Sequence, residues 1–242
     1  MRKIQVWGHR GASGYAPENT LPSFALAAKM GADGVELDIQ KTKDGQIVVI
    51  HDETVDRTAF SSGFVKDFTY EEIRAMQIRN AGKYEEARIP LMSEVFDLLK
   101  DTDLLINIEL KTGVFDYAGI EEEIVSMVKE KGYEDRVIYS SFNHYSIMKL
   151  KKIDPKAKTA FLYQDGFMDI AEYGKKYGVD ALHPWVENLR YPGFMEEAEK
   201  NGLDVNVWTV NSEKELKLCK KCNVHAVITN YPDRALEFLE EE

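Results

Sequence analysis

Short apolar runs alternate strictly with amphipathic runs along this 242-residue chain, and the alternation restricts its fold more than any other feature. The pattern predicts strands at 4–9, 34–40, 104–110, 137–141, 159–163, 181–185, 204–210 and 226–229. It predicts helices at 21–30, 93–100, 120–131, 145–152, 168–177, 192–201, 213–221 and 234–239. Such alternation is typical of parallel strands joined by crossover helices, and a closed barrel of eight such units uses about 250 residues. We therefore predict an α/β protein with a TIM-like (β/α)8 barrel as one domain over residues 1–242. A doubly wound open sheet is the alternative.

One region departs from the alternation, directly after the second predicted strand. Asp44-Gly45 favours a tight turn, and residues 46–50 have the pattern of a returning strand. Residues 52–88 are irregular apart from a short helical pattern at 70–76. We interpret 52–88 as a small insertion on the face that carries the site loops, where it serves either as a lid or as a substrate-selecting flap.

Charge and apolar content restrict the partners and the location. A net charge of −11 argues against nucleic acid, which is bound mainly through phosphate contacts, but leaves room for a small phosphorylated ligand at a local site. The sequence has no apolar run long enough to cross a bilayer and no signal-peptide core, so we expect a cytoplasmic protein without a transmembrane segment. Cys219 and Cys222 lie near the end of a predicted helix, where the dipole disfavours a thiolate, and we assign them no chemistry. Both a monomer and a homodimer are compatible with the sequence.

The loop after the first predicted strand combines a histidine, an arginine and flexible glycines. His9-Arg10-Gly11 follows the strand, and Asn19 or Thr20 is placed to cap the next helix. Loops held by a rigid strand commonly carry functional residues. A turn that merely contains these residue types is the structural alternative.

Three carboxylates are predicted to point into the barrel. Glu36 and Asp38 are two residues apart on one strand and therefore face the same side, and Glu109 has the matching position on the next parallel strand. Buried carboxylates repel one another unless a positive group lies between them. Oxygen ligands without a thiolate suit a hard divalent cation such as Mg²⁺, Ca²⁺ or Mn²⁺. A salt bridge such as Glu36–Lys111 is the structural alternative.

A second histidine and two cations complete a candidate site. His51 ends the returning strand, and together with His9 it offers a general acid and a general base near neutral pH. Arg10 provides a planar fork for phosphate oxygens, and Lys111 provides a compact charge. With a divalent cation on the three carboxylates the site carries one net positive charge, which one phosphodiester balances.

These motifs resemble those of the glycerophosphodiester phosphodiesterase family. The resemblance rests on His9-Arg10-Gly11, Pro17-Glu18-Asn19-Thr20, Glu36-x-Asp38, His51-Asp52 and Glu109-x-Lys111, which occur in the family's order over nearly the whole chain. It implies a TIM-like barrel with a segment inserted after the second strand. It also implies hydrolysis of glycerophosphodiesters, such as glycerophosphocholine or glycerophosphoethanolamine, to sn-glycerol 3-phosphate and an alcohol.

The resemblance also implies roles for individual residues. They are His9 and His51 as the acid–base pair, Glu36, Asp38 and Glu109 as ligands of one divalent cation, and Arg10 and Lys111 as phosphate contacts. The nucleophile, water or the glycerol 2-hydroxyl, stays open. So does the assignment of base and acid to the two histidines.

Other interpretations remain at this point. Trp208, near the end of the seventh predicted strand, is either a wall of the glycerol or alcohol pocket or a core aromatic. The same fold also supports metal-dependent sugar isomerases and aldolases, and non-catalytic binding barrels. An enzyme acting on intact lipids would need an exposed apolar or basic loop, which 52–88 does not clearly offer.

Overall fold

The computed structural model describes residues 3–240. The strands in this range are β1 Gln5–His9, β2 Gly34–Lys41, β3 Ile47–Val49, β4 Leu105–Leu110, β5 Val137–Ser141, β6 Lys158–Tyr163, β7 Ala181–Pro184, β8 Asp204–Val207 and β9 Ala226–Thr229. The α-helices are α1 Leu21–Lys29, α2 Tyr70–Ala75, α3 Met92–Leu99, α4 Ile120–Lys131, α5 His144–Ile153, α6 Ile170–Tyr177, α7 Phe194–Lys200, α8 Glu213–Cys222 and α9 Pro232–Glu240. Short 3₁₀ helices span Val65–Asp67 and Val186–Arg190.

Eight of these strands close into a parallel barrel. The hydrogen-bonded order runs β1, β2, β4, β5, β6, β7, β8, β9, and β9 pairs with β1 to complete the ring. β1 has a partner on each side, in the registers Trp7↔Gly34 and Gln5↔Ala226. Closure confirms the predicted (β/α)8 barrel and excludes the open sheet.

Strand alternation separates the two sides of the barrel wall. On β2, Val35, Leu37 and Ile39 join the core between barrel and helices, whereas Glu36 and Asp38 face the interior. The floor of the interior is apolar, with Trp7, Ala226 and Ile228 packed together. The interior carboxylates Glu36 and Asp38 point toward the end of the barrel formed by the carboxyl ends of the strands, where sites of this fold form.

The inserted segment has a small core of its own. β3 pairs antiparallel with β2, as the Asp-Gly turn predicts, and the chain reaches α3 only at Met92. Eight buried side chains of residues 50–89, including Val55, Ile73 and Ile78, pack together with Val48 of β3. That 1–242 form one domain stays a prediction, and its ends at 1–2 and 241–242 lie outside the described residues. Within 3–240, every helix is too short or too polar to cross a membrane.

Candidate active site

The predicted site residues meet at the carboxyl end of the barrel. His9, Arg10, Glu36, His51, Glu109 and Trp208 all line one cavity of about 80 Å³. Asp38 and Lys111 lie within ion-pair distance of this set. All eight residues singled out from the sequence are thus brought together, although they come from the ends of five strands and their loops.

The three carboxylates form a compact buried group. Each of Glu36, Asp38 and Glu109 offers an oxygen atom, and these atoms lie within 4.8 Å of one another. The register places Asp38 beside Glu109 across the β2–β4 pairing. Burial, together with the charges of Asp38 and Glu109, raises the pKa of Glu36 well above its usual range. Burial likewise raises the pKa of Glu109 to about 7, against the lowering effect of Lys111. The group therefore resists full ionisation unless further positive charge is present.

Two cations partly offset this repulsion. Lys111 Nζ lies 2.9 Å from Glu109 Oε1 and 3.9 Å from Asp38 Oδ1, and Arg10 Nε lies 3.6 Å from Asp38 Oδ2. Burial alone would raise the pKa of Asp38, but the Arg10 and Lys111 charges lower it overall. Lys111 forms ion pairs with Glu109 and Asp38. The Glu36–Lys111 salt bridge considered from the sequence is replaced by these two contacts.

The loop after β1 reaches the carboxylates through left-handed backbone. Arg10 has φ +55° and Gly11 has φ +79°, and a Cβ on Gly11 would lie 2.5 Å from Ser23 Oγ. This turn directs both the Arg10 N–H, which donates to Glu36 Oε2 at 3.0 Å, and the Arg10 side chain toward β2. A side chain at position 11 would displace the whole loop.

Asn19 has a role that sequence reasoning missed. Thr20, and not Asn19, is the N-cap residue of α1. Asn19 has φ +55° and donates from Nδ2 to Asp38 Oδ2 at 2.8 Å, while its Oδ1 is buried without a hydrogen-bond partner. The signal that existed was an asparagine, a residue that tolerates left-handed backbone, directly before a helix that Thr20 already caps.

His9 is held from the opposite end of the chain. Its Nδ1 lies 2.6 Å from Oδ1 of Asn230, which follows β9. Because a carbonyl oxygen only accepts, Nδ1 carries the proton and Nε2 is left unprotonated, 4.0 Å from Glu36 Oε2. Burial, and then the charge of Arg10, lowers the pKa of His9 to about 4. Asn230 was not predicted, since nothing local in the sequence links it to His9.

His51 is held by a carboxylate. Its Nδ1 lies 2.6 Å from Asp52 Oδ1, and Asp52 in turn accepts from Arg57 Nε at 2.7 Å. Burial would raise the pKa of Asp52, but the hydrogen bonds from Arg57 and His51 lower it to about 2. The Asp52 carboxylate accepts the Nδ1 proton of His51, as the Asn230 amide oxygen does for His9, and Nε2 is the available nitrogen of both rings.

Trp208 forms an aromatic wall of the cavity. Its Nε1 donates to the backbone oxygen of His183 at 2.8 Å, and its ring meets Phe142 edge-to-face at 5.6 Å. Phe142 lines the same cavity and is 46% exposed. The indole N–H is thus satisfied inside the barrel, while the ring borders the space where a ligand would lie.

Two histidines, a carboxylate cluster and two cations at the carboxyl end of a (β/α)8 barrel form a constellation typical of an enzyme active site. The sequence model of the glycerophosphoryl diester phosphodiesterase family matches residues 9–234, and the chain belongs to this family. It is therefore a phosphoric diester hydrolase, which decides against the sugar-isomerase and non-catalytic alternatives.

Relatives resemble the chain over their full length. A glycerophosphodiester phosphodiesterase of Caldanaerobacter subterraneus subsp. tengcongensis is 44% identical over 239 residues, which is 98% of each protein. The structure of an Oleispira antarctica phosphodiesterase in complex with the product sn-glycerol-3-phosphate is 25% identical, with a TM-score of 0.87 over 98% of this chain and 97% of the other. A Galdieria sulphuraria structure is 26% identical, with a TM-score of 0.88 over 98% of both chains.

The raised pKa of Glu109 predicts that this site destabilises the metal-free fold at high pH. Glu109 binds its proton more tightly in the folded protein than in the unfolded chain. The free energy of unfolding therefore falls as the pH rises from about 4.5 to about 7. We expect Glu109→Gln, which resembles the protonated acid, to match the wild type near pH 4 in a chelating buffer. Near pH 8 it should be more stable, by on the order of 3 kcal/mol. Urea unfolding at both pH values measures this, and equal stabilities at pH 8 would contradict it.

Proposed function

We propose that this protein hydrolyses glycerophosphodiesters, such as glycerophosphocholine or glycerophosphoethanolamine, to sn-glycerol 3-phosphate and an alcohol. The observation that carries the proposal is the cavity in which two histidines, three carboxylates and Arg10 converge. Lys111 and Arg10 would contact the phosphate, and Trp208 would pack against the glycerol or alcohol part. The bound sn-glycerol-3-phosphate of the Oleispira antarctica relative supports the same product chemistry.

Glu36, Asp38 and Glu109 would hold one divalent cation, Mg²⁺, Ca²⁺ or Mn²⁺. Two features support the fit: the high pKa of Glu36 and of Glu109, and Asp38 Oδ1, which is buried without a hydrogen-bond partner. Oxygen donors of this kind are those that hard cations prefer. When bound, such an ion would neutralise charge on the phosphate oxygens.

His9 and His51 would transfer the protons. The nucleophile, either water or the glycerol 2-hydroxyl, forms a bond to phosphorus and loses its proton to one imidazole Nε2. The bond from phosphorus to the alcohol oxygen breaks, and this oxygen takes a proton from the other Nε2. With water as nucleophile this step gives sn-glycerol 3-phosphate directly, whereas the 2-hydroxyl gives a cyclic diester that water then opens.

The hydrogen-bond partners suggest which histidine takes which role. His51 Nδ1 lies against the carboxylate of Asp52, an arrangement in which the carboxylate orients the ring, and we assign His51 the general acid. His9 faces the neutral Asn230 and lies beside Arg10, which favours the unprotonated ring and therefore the general base. We propose this assignment for the first bond-breaking step.

Alanine variants of the two histidines test these roles. The wild type should show a bell-shaped pH profile of kcat/KM, because the base must be unprotonated and the acid protonated. We expect His9→Ala and His51→Ala each to lower kcat at least about 10²-fold. His9→Ala should lose the acidic limb and His51→Ala the basic limb. Near-normal turnover in either variant would refute its role, and exchanged limbs would reverse the assignment.

Metal removal tests the carboxylate cluster. We expect metal-stripped protein to release glycerol 3-phosphate from glycerophosphocholine only after Mg²⁺, Mn²⁺ or Ca²⁺ is returned, and Glu36→Gln to need far more cation. Glu121→Gln is a matched control, because Glu121 is equally buried but accepts from Ser146 and Lys149 outside the site. Full activity without any divalent ion would make the cluster a purely structural network.

A second candidate substrate is a diester that carries an apolar chain. The loops after β5 and β6 expose Phe142, Phe167 and Met168, the last of these by 92%, and the first turn of α5 exposes Tyr145. Phe142 also lines the cavity. Phe60 and Phe64 of 52–88 are also exposed, but unlike Phe142 they do not line the cavity. Acidic residues flank Phe167 and Met168, so the chain of a zwitterionic substrate fits this face better than an anionic bilayer.

A short-chain lysophosphatidylcholine, used below its micelle concentration, tests this candidate against glycerophosphocholine. We expect the double variant Met168→Ser, Phe167→Ser to lower kcat/KM for the chain-bearing diester about tenfold. The two partly covered side chains together would bury about as much apolar surface against the substrate chain as one fully buried side chain. Activity on glycerophosphocholine should change less than about twofold. Phe60→Ser, on the inserted segment and also exposed, is the control. Equal losses on both substrates would reject the candidate.

A further inference from the structure

A continuous series of hydrogen bonds between charged side chains joins Arg10 to His51, which lie on two sides of the cavity. Arg10 Nη1 donates to Glu18 Oε1 at 2.9 Å, and Arg57 donates from Nη2 to the same oxygen and from Nη1 to Glu18 Oε2, each at 2.7 Å. Arg57 also donates to Asp52, from Nε to Oδ2 at 2.7 Å and from Nη2 to Oδ1 at 3.1 Å. Asp52 Oδ1 then meets His51 Nδ1 at 2.6 Å.

The middle of this chain is a single guanidinium that binds two carboxylates with two hydrogen bonds each. Only arginine has the fixed fork of donors that this arrangement uses. Glu18 belongs to the loop between β1 and α1, whereas Asp52 follows β3. Arg57 therefore ties the inserted segment to the barrel loop at the place where each supplies a site residue.

Each carboxylate that Arg57 holds orients a different residue. Glu18 is the hydrogen-bonding partner of the Arg10 guanidinium, which also lies beside Asp38. Asp52 fixes the tautomer and the ring direction of His51. Arg57 does not line the cavity, and its side chain is 50% exposed. Its hydrogen bonds reach the site residues Arg10 and His51 through Glu18 and Asp52.

We propose that Arg57 is a positioning residue that fixes Arg10 and His51 together, through Glu18 on one side and Asp52 on the other. The proposal rests on the proposed function, in which Arg10 contacts the phosphate and His51 transfers a proton. An ordinary exposed ion pair contributes little to stability and nothing to a tautomer. The tautomer of His51 and the split between kcat and KM therefore separate positioning from a merely structural role.

The first test reads His51 without any reaction. Ring ¹⁵N spectra, recorded above the titration range of the imidazole and assigned with His51→Gln, report which nitrogen carries the proton. We expect the wild type to hold the Nδ1–H form and Arg57→Met to give a mixture, because Asp52 loses its orientation. Arg74→Met is the matched control: it removes an arginine of the same segment that bonds Glu94 at 2.7 Å, away from the cavity.

The second test separates the two arms by kinetics on glycerophosphocholine. We expect Arg57→Met to lower kcat about 10- to 100-fold, as loss of a residue that orients a catalytic group does. Asp52→Asn should lower mainly kcat, and Glu18→Gln should raise mainly KM, since only the second acts through Arg10. Arg57→Lys keeps the charge without the fork, so it should recover only part of kcat. It also provides a folded comparison if the Met variant unfolds.

Three results would overturn the proposal. They are a wild-type tautomer and kcat in Arg57→Met, equal losses in Arg74→Met, or complete recovery of both readouts in Arg57→Lys. If the wild type fails to hydrolyse any glycerophosphodiester, the proposed function fails, while the ¹⁵N spectra still decide whether Arg57 orients His51.

Discussion

Like-charge repulsion among Glu36, Asp38 and Glu109 is the constraint on which the rest of the site depends. Three carboxyl groups are buried at one mouth of the barrel, and their oxygens lie within 4.8 Å of one another. Without opposing charge, such a group would favour protonation or an unfolded chain. Lys111, Arg10 and the Arg10 N–H lie against it, yet the pKa values of Glu36 and Glu109 stay raised. The neighbouring positive charges thus do not fully balance the three carboxylates, at the place where the proposed chemistry would use a cation.

This constraint also explains the unusual backbone of the first loop. Arg10, Gly11 and Asn19 all adopt left-handed conformations, which residues other than glycine adopt at a cost. In return, one loop delivers a guanidinium, a backbone N–H and a side-chain amide to the carboxylates of β2. Local strain is tolerated here because the electrostatic gain depends on this geometry, and the Ser23 hydroxyl holds the loop by donating to Arg10 O.

The fold and the site centre were predictable from the sequence because both follow from short-range periodicity. Alternation at period two placed Glu36, Asp38 and Glu109 on the interior face, and the order of strands and helices predicted the closed barrel that the pairing of β1 with β9 confirms. The roles assigned to these residues stay predictions. The partner that holds His9 was not predictable, and neither was the contact between Arg57 and Glu18. Asn230 lies 221 residues from His9, and Arg57 meets Glu18 across 39 residues, so neither pair leaves a local pattern.

Asn19 shows a different limit of sequence reasoning. Its position before a helix favours an N-cap, which is a local and frequent role. The structure gives the cap position to Thr20, and the buried Asp38 instead engages Asn19. A buried carboxylate has a larger unmet demand for donors than a helix end, whose N–H groups water and neighbouring residues also satisfy. Asn19 therefore bonds the buried Asp38 carboxylate, which water cannot reach, and leaves the helix end to Thr20. The competition between these two roles is invisible until the strand and the loop are folded against each other.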